Sequence, residues 1–331
     1  MISYIARRFV YMLIMLAAMS LVAYVIIQLP PGDYVTMLIS KLEATGMGAD
    51  ESQIVMLRRM YGLDLPPYLR YLKWVGNMLR GDFGRSMHWL RPVSELIGER
   101  LMLTVMLTVL TTAFSFIVAI PIGIYSATHQ YSFGDYTFMV VGFAGLATPN
   151  FLLALMLMIL FNNAFGVSIG GLFSSEYSAA PWSFGKVIDM LKHLPVPIII
   201  VGTSGTAGLI RVFRGMLLDE LRKHYVITAR AKGLAERTIL FRYPVRVALN
   251  PVVSTIGWLL PAIVSGNTIV ALVLSLPTVG PLMYQALLVE DMFLAGTIVM
   301  FLSFLTIIGT FVSDFMLVVV DPRIRFERVG S

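Results

Sequence analysis

The residues best suited to chemistry lie in a charged segment between long apolar stretches. From Asp219 to Arg237 the chain has two acidic residues and then several basic ones, with small residues between the last of these. Asp219 and Glu220 favour the start of a helix, the basic residues that follow favour its end, and Gly233 can terminate it in the left-handed conformation. The pattern predicts a short helix, a turn and a second helix, which Pro244 should kink or end.

The chemistry that this segment offers is binding. Thr228, Ala229 and Ala231 are small, so the first helix can lie close in the groove of a partner protein, and Arg230 and Lys232 flank it as charged contacts. A basic amphipathic helix that lies on the anionic inner leaflet of a membrane would have similar spacing. The spacing by itself leaves both interpretations open.

Motifs for catalysis and for metal binding are missing from the sequence. Gly185-Lys186 is followed by Val187 and position 180 holds alanine, so there is no P-loop. Any ATP hydrolysis would therefore take place on a partner protein. The chain has no cysteine, and its histidines, at His88, His129, His193 and His224, do not lie at metal-ligand spacing from a second histidine or a carboxylate. We predict no catalytic residue, no metal site and no cofactor in this chain.

Composition places the charged segment on a membrane protein. Of the 331 residues, 57% are hydrophobic and 13% are charged, and a helix needs roughly 20 apolar residues to cross the hydrocarbon core of a bilayer. The sequence predicts an all-α integral membrane protein whose six spans lie near 9–29, 102–124, 137–161, 194–213, 251–275 and 292–319. The first span is expected to be uncleaved, because its uncharged run exceeds the core of a typical signal peptide.

Charge bias orients these spans. Residues 211–249 carry nine Lys or Arg, and the tail carries Arg323, Arg325 and Arg328. The uncharged stretch 247–289 could hold two crossings, but a seventh span would place the basic tail outside, against the positive-inside rule. We therefore expect six spans with both termini cytoplasmic, and a short outer loop over 276–292.

Residues 30–100 differ from the rest of the chain. They contain nine basic and eight acidic residues, interrupted by proline and glycine, and we interpret them as a small extracytoplasmic insertion. Asp50 and Gln53 resemble a capping box and Gly62 can end a helix, which predicts a short amphipathic helix over 51–61. The expected division is thus 1–29, 30–100 and a five-span core over 101–331, with a cytoplasmic loop at 214–249.

Three residues within the predicted spans are candidates for a translocation path or gate. Asp314 is acidic, and a charge at membrane depth costs roughly 2.5–3.5 kcal/mol on insertion scales, so it should face the protein interior, a cavity or water. It could equally serve helix packing near the membrane interface. Pro149 and Pro261 could mark broken helices along a path, although proline is common in membrane helices generally.

Several segments, in order, resemble one known family. They are Arg7-Arg8, Pro31-Gly32-Asp33, Tyr61-Gly62-Leu63-Asp64 with Pro66, Gly81-Asp82-Phe83-Gly84-Arg85-Ser86, Arg91-Pro92-Val93, Tyr225 to Arg237, and Asp321-Pro322-Arg323. Together they are similar to the first permease subunit in the dipeptide, oligopeptide and nickel branch of ABC importers. The segment from Tyr225 looks like that branch's "EAA" loop, the coupling helix that docks on the ATPase subunit. Departures from the branch's pattern follow the loop, at Tyr243, Pro244, Val247 and Asn250.

This resemblance implies a six-helix importer permease fold in a bacterial or archaeal cytoplasmic membrane. It implies that the chain forms half of a translocation path and couples to the ATPase through the 219–237 loop. The implied coupling residues are Tyr225, Thr228, Ala229, Arg230, Ala231, Lys232, Gly233 and Glu236. The implied partners are a second homologous permease, two ATPase subunits that bind ATP and Mg, and an extracytoplasmic solute-binding protein, within a lipid bilayer and without nucleic acid. The solute is expected to be a peptide, with oligosaccharides, opines and nickel as alternatives.

Two other classes of membrane protein remain as alternatives. A stand-alone secondary transporter or channel should carry ionisable residues in several spans, whereas Asp314 is a single one. An intramembrane enzyme would need a catalytic pair inside the spans, and the sequence offers no plausible pair.

Overall fold

The structure is a computed structural model that describes residues 2–28, 34–44, 51–60, 62–166, 169–255 and 267–320. All regular secondary structure in these ranges is helical, which confirms the predicted all-α class. The helices in chain order are α1 (Ile2–Gln28), α2 (Tyr34–Ala44), α3 (Glu51–Met60), α4 (Pro67–Leu79), α5 (Val93–Thr128), α6 (Phe133–Ala147), α7 (Asn150–Phe165), α8 (Ser175–Ser178), α9 (Phe184–His193), α10 (Pro195–Leu221), α11 (His224–Ala231), α12 (Glu236–Arg242), α13 (Pro244–Ser254), α14 (Thr268–Val273), α15 (Val279–Leu288) and α16 (Met292–Val320).

The chain divides into two compact units. The first comprises Met1–Thr104 with Thr278–Leu305, and the second comprises Val105–Pro277 with Thr306–Ser331. Each unit combines segments that are distant in the sequence. Helices α5 and α16 contribute residues to both units. The predicted division at residues 29 and 100 concerns the side of the membrane on which each segment lies, and it stays a prediction.

The core of the first unit forms where the start of α5 meets α15 and α16. Its buried apolar residues include Val93, Ile97, Leu282, Leu294 and Ile298. Nearby, the buried carboxylate of Asp291 accepts hydrogen bonds from the Ser86 hydroxyl, from the His88 N–H at 3.2 Å and from the Leu294 N–H at 3.2 Å. Asp291 thereby caps the N-terminus of α16 and ties the turn before α5 to it.

The segment 276–292, expected to be a loop, contains the ten-residue helix α15. The Thr104 hydroxyl accepts a hydrogen bond from the Val279 N–H at 2.9 Å, which satisfies one of the free donors of the first turn. Pro281 lies in that first turn, where a missing N–H costs no helical hydrogen bond. The apolar face of α15 packs in the core of the first unit, where Val279, Leu282 and Ala286 are buried.

The predicted amphipathic helix over 51–61 is confirmed. α3 runs from Glu51 to Met60, and Gly62 follows in the left-handed conformation with φ +65°. The Gly62 N–H donates to the Arg59 carbonyl at 3.1 Å. The proposed capping box is not tested, because Asp50 lies outside the described residues.

The second unit is built around α10. Buried residues of α5, α10 and α13 form its core, among them Ala119, Phe213, Leu217, Ala248 and Val252. Small residues let these helices approach closely, as is common between membrane helices.

Glycine at position 123 is one such close approach and yields a stability prediction. A Cβ at Gly123 would lie 2.6 Å from a ring carbon of Phe213, which is fully buried. We expect Gly123→Ala to destabilise the fold by about 1–3 kcal/mol through overpacking. Gly215→Ala on α10, where nothing lies within 4 Å of the added methyl group, should be neutral or stabilising by up to about 1 kcal/mol. Thermal unfolding of both variants in mild detergent checks this, and equal shifts would contradict it.

Length and hydropathy show which described helices can cross a membrane. Three qualify: α5, α10 and α16 over Met292–Ser313. The apolar stretch Val10–Ile26 of α1 is shorter by this measure. α5, α10 and α16 agree with the predicted second, fourth and sixth spans, and the apolar stretch of α1 overlaps the predicted first span without reaching the same length.

The third predicted span, 137–161, is not a continuous helix. α6 and α7 qualify as a pair but are bent by 102° at the break between them. Thr148 there is extended, with ψ 120°, and Pro149 follows with ψ 131°. The proline ring disfavours a helical conformation for the residue before it, which accounts for the break.

The fifth predicted span, 251–275, is described only in part. α13 already begins at Pro244, earlier than expected, and carries Pro251 inside it. α14 covers Thr268–Val273. Residues 256–266, including Pro261, lie outside the described residues.

Candidate coupling surface

The charged segment forms a helical hairpin directly after α10. α11 begins three residues beyond the end of α10, and α12 precedes α13, which starts at Pro244. The predicted helix, turn and helix are therefore confirmed, as is the break at Pro244. The predicted helix start at Asp219 and Glu220 is wrong, because both residues lie in the last turn of α10. Burial of Leu217 in the core of the second unit holds α10 in helical form to this point.

Gly233 makes the turn between α11 and α12. Its φ is +74°, its N–H donates to the Arg230 carbonyl at 2.9 Å, and the Leu234 N–H donates to the Ala229 carbonyl at 3.3 Å. These two bonds are the Schellman motif, in which a left-handed glycine satisfies the last carbonyls of a helix. The predicted role of Gly233 as a helix terminator is confirmed.

One face of α11 is used within the chain itself. Val226, Ala229 and Ile239 are buried and form a small cluster with Tyr243. Ala229, which we expected to face a partner, is 7% exposed. Its small side chain lets α11 and α12 approach each other.

The opposite face of α11 is exposed. It carries His224, Ile227, Thr228 and Ala231, at the spacing of one helical face. We call these four residues the outward face. Ile227 is 54% exposed and was missed in the sequence, although its position three residues after His224 and four before Ala231 could have identified it.

Two intrachain pairs fix the polar side chains of the hairpin. Arg230 donates to both carboxylate oxygens of Glu236, at 2.7 and 3.1 Å. This contact raises the pKa of Arg230 and lowers the pKa of Glu236 below its ordinary value. The Tyr225 hydroxyl donates to the Glu220 carboxylate, and partial burial together with this bond raises the pKa of Tyr225. Lys232 is exposed at the C-cap of α11.

The structure describes only part of the set of candidate path residues. Pro149 marks the break between α6 and α7. Pro261 lies outside the described residues, and so does the side chain of Asp314, although its backbone lies within α16. These two candidates therefore stay predictions.

The break at Pro149 brings polar groups together in the second unit. The Asn150 side-chain amide donates to the Ser204 hydroxyl at 3.3 Å and to the Asn267 side-chain oxygen at 3.4 Å. The Asn150 oxygen is buried without a hydrogen-bond partner in the described part of the chain. Irregular backbone at membrane depth is tolerated where it is buried in protein or lines a water-filled cavity. The role of Pro149 in a translocation path stays a prediction, and Asn150 is a buried polar group at the same break.

Metal-ligating side chains do not converge in the ranges that the structure describes: no group of three or more His, Asp or Glu residues is placed to hold an ion there.

Comparison with known proteins identifies the family to which this chain is similar. Residues 119–326, which contain the hairpin, match the family described as "Binding-protein-dependent transport system inner membrane component". The chain is 34% identical to the oligopeptide transport system permease protein AppB of Bacillus subtilis, over 98% of this chain and 100% of that protein. It is 33% identical to the inner membrane ABC transporter permease protein YejB of Escherichia coli O157:H7, over 85% of this chain and 78% of that protein.

A solved structure shares the fold. A chain of the MetNI methionine ABC transporter, in an inward-facing conformation, matches with a TM-score of 0.50 and 16% sequence identity, over 68% of this chain and 96% of that one. At this identity the likeness concerns the fold alone, and the family match covers most of the chain independently. The chain is a multi-pass membrane protein and belongs to the family of binding-protein-dependent transport system inner membrane components.

Proposed function

We propose that this chain is one of two membrane-spanning subunits of an ATP-driven importer of peptides. The full-length similarity to permease proteins named for oligopeptide and peptide transport supports this solute class. The single observation that carries the coupling role is the hairpin of α11 and α12, whose outward face presents exposed Ile227 between small and polar residues.

In this proposal, the outward face docks on an ATPase subunit that binds ATP and Mg. The cluster of Val226, Ala229 and Ile239 makes the hairpin a compact body, and only Arg222 and Lys223 separate it from α10. A displacement of the hairpin is therefore passed to α10, whose Phe213 and Leu217 are fully buried in the second unit. ATP binding would in this way reorient the spans between inward-facing and outward-facing states.

The remaining subunits and the topology follow from the same proposal. A second homologous permease completes the path, a second ATPase subunit pairs with the first, and an extracytoplasmic binding protein delivers the solute. Both termini and residues 214–249 lie on the cytoplasmic side, in keeping with the nine Lys or Arg over 211–249. Residues 30–100 lie outside.

Gly233 offers the sharpest test of coupling. Proline fixes φ near −65° and lacks an N–H, so Gly233→Pro can neither adopt φ +74° nor donate to the Arg230 carbonyl. Asparagine tolerates the left-handed conformation, so Gly233→Asn is the matched control. In proteoliposomes with all partner subunits, we expect Gly233→Pro to lower the peptide-stimulated ATPase rate at least about tenfold, since proline here costs about 3 kcal/mol or more. Gly233→Asn should keep most of the rate.

The assay also separates the alternatives. Uptake of labelled peptide without ATP by the chain alone would indicate a secondary transporter and contradict the proposal. Equal ATPase rates for Gly233→Pro and wild type would reject the coupling role of the hairpin. Stimulation by oligosaccharide, opine or nickel in place of peptide would change the solute and leave the importer mechanism intact.

A further inference from the structure

The first unit contains a cavity of about 560 Å³ that the proposed transport function does not use. Residues of α1, α3, α4, the start of α16 and the turn before α5 line it. Its size is that of an ordinary small-molecule site.

Three cationic side chains line this cavity, from Arg70, Lys73 and Arg85, and none of the described lining residues is acidic. The Nε of Arg70 is buried and has no hydrogen-bond partner in the described part of the chain. Leaving such a donor unpaired costs about 1–3 kcal/mol, and more for a charged group. The Arg85 guanidinium is held by the Leu90 carbonyl at 2.8 Å. The site therefore favours a ligand with a negatively charged oxygen group.

The rest of the lining is apolar. Leu57, Leu65, Trp74 and Phe293 contribute to it, and Trp74 is only 8% exposed. A small inorganic anion would leave these side chains without a contact. An anion attached to an apolar body would use both parts of the cavity.

One wall of the cavity lies near the C-terminal end of α1, the first predicted span. Tyr24 lies near the end of α1, and its hydroxyl donates to the Pro67 carbonyl at 2.8 Å. Its ring lies 5.3 Å from that of Tyr71 and 6.1 Å from that of Trp74, between centroids. Tyrosine and tryptophan are enriched at the level of the lipid head groups. We therefore expect the cavity to lie near the level of the lipid phosphates at that end of the predicted span.

We propose that this cavity binds the phosphate head group of an anionic membrane lipid. Arg70 and Lys73 contact the phosphate, Arg85 lies at the rim, and the glycerol region packs against Trp74 and Phe293. Free phosphate shares the anionic chemistry, but it lacks the apolar body. Bound lipid would tie α1 to α4 and α16 within the first unit.

Native mass spectrometry of the complete transporter complex in detergent tests this. The probes are dioleoylphosphatidylglycerol, dioleoylphosphatidylcholine and inorganic phosphate. We expect the anionic lipid to bind at least about tenfold more tightly than the zwitterionic one, and Arg70→Gln and Lys73→Gln each to weaken it about fivefold. Arg80→Gln, which removes an exposed cation outside the cavity at the end of α4, should leave the affinity unchanged.

Three outcomes would overturn the proposal. One is a failure to bind the anionic lipid selectively, whether the two lipids bind equally or the complex holds no lipid because a partner subunit covers the cavity. Another is an equal loss in Arg80→Gln, which would indicate a general charge effect. The third is displacement of the lipid by millimolar phosphate, which would assign a free-anion site. Thermal unfolding shows whether each variant is folded. If Arg70→Gln is not folded, Lys73→Gln still tests the proposal, because the Lys73 side chain is exposed. ATPase coupling is read separately, so failure here leaves the transport proposal standing.

Discussion

Replacing Ile227 by glutamate should prevent stable docking of the ATPase subunit. Ile227 is 54% exposed at the centre of the outward face of α11, where a partner would bury it. Anchors of this kind contribute about 2–4 kcal/mol to an interface, and the new carboxylate would be buried without a partner. We expect the affinity for the ATPase subunit to fall about 100-fold, which corresponds to about 2.7 kcal/mol, and the peptide-stimulated ATPase activity to be lost with it.

Matched variants separate docking from folding. Leu79→Glu makes a similar change at a side chain that is 84% exposed at the end of α4, and it should not affect docking. Ile227→Val keeps most of the apolar surface and should weaken docking only slightly. The affinity is measured by binding of the purified ATPase subunit to the permease pair in nanodiscs. Wild-type affinity in Ile227→Glu would show that α11 docks through another face or not at all.

Ala229 is the informative contrast to Ile227. Both residues lie in α11, but Ala229 packs against Val226 and Ile239 inside the chain. Ala229→Glu would therefore disturb the hairpin before it reached any partner, and it cannot serve as a clean docking variant. The small side chains were recognisable in the sequence, whereas the direction in which each points depends on the position of α12.

Local features of the sequence predicted much of the fold. Uncharged runs located the long helices, and Gly62 and Gly233 ended α3 and α11 as expected, because a left-handed glycine is a local requirement. The third predicted span is a pair of helices bent at Pro149 instead of one continuous helix, because hydropathy records the apolar run and not the conformation that Pro149 imposes on Thr148. A proline inside an apolar run can kink, end or leave a helix intact, and its neighbours decide which.

Contacts between residues that are far apart in the sequence account for most of what the sequence did not reveal. The acidic residues 219 and 220 looked like a helix start, but packing of Leu217 extends α10 beyond them. The cationic cavity joins side chains from α4 with residues of α16, more than 200 positions away. The buried ion pair of Asp135 with Arg214 spans 79 residues and was not predicted at all. No local pattern marks either partner.

Removing the carboxylate of Asp135 should destabilise the second unit more than any surface change. Arg214 donates to both oxygens of Asp135, at 3.0 and 2.8 Å, and the Tyr131 N–H donates to one of them at 3.0 Å. The Asp135 side chain is fully buried and that of Arg214 is 19% exposed. Asp135→Ala leaves the arginine without its partner in a largely buried site, and we expect the free energy of unfolding to fall by about 3–5 kcal/mol.

Two comparisons show whether burial is the cause. Glu95→Ala removes a partner of Arg91 in a pair whose side chains are 54% and 62% exposed, and it should cost less than about 1 kcal/mol. The double variant Asp135→Leu with Arg214→Leu removes both buried charges and should recover much of the stability, because the unpaired charge is what makes the single change costly. Denaturant unfolding of the three variants in mild detergent measures this. If the double variant were as unstable as Asp135→Ala, the hydrogen bonds to the Tyr131 turn, and not the charge pair, would hold the start of α6 against α10.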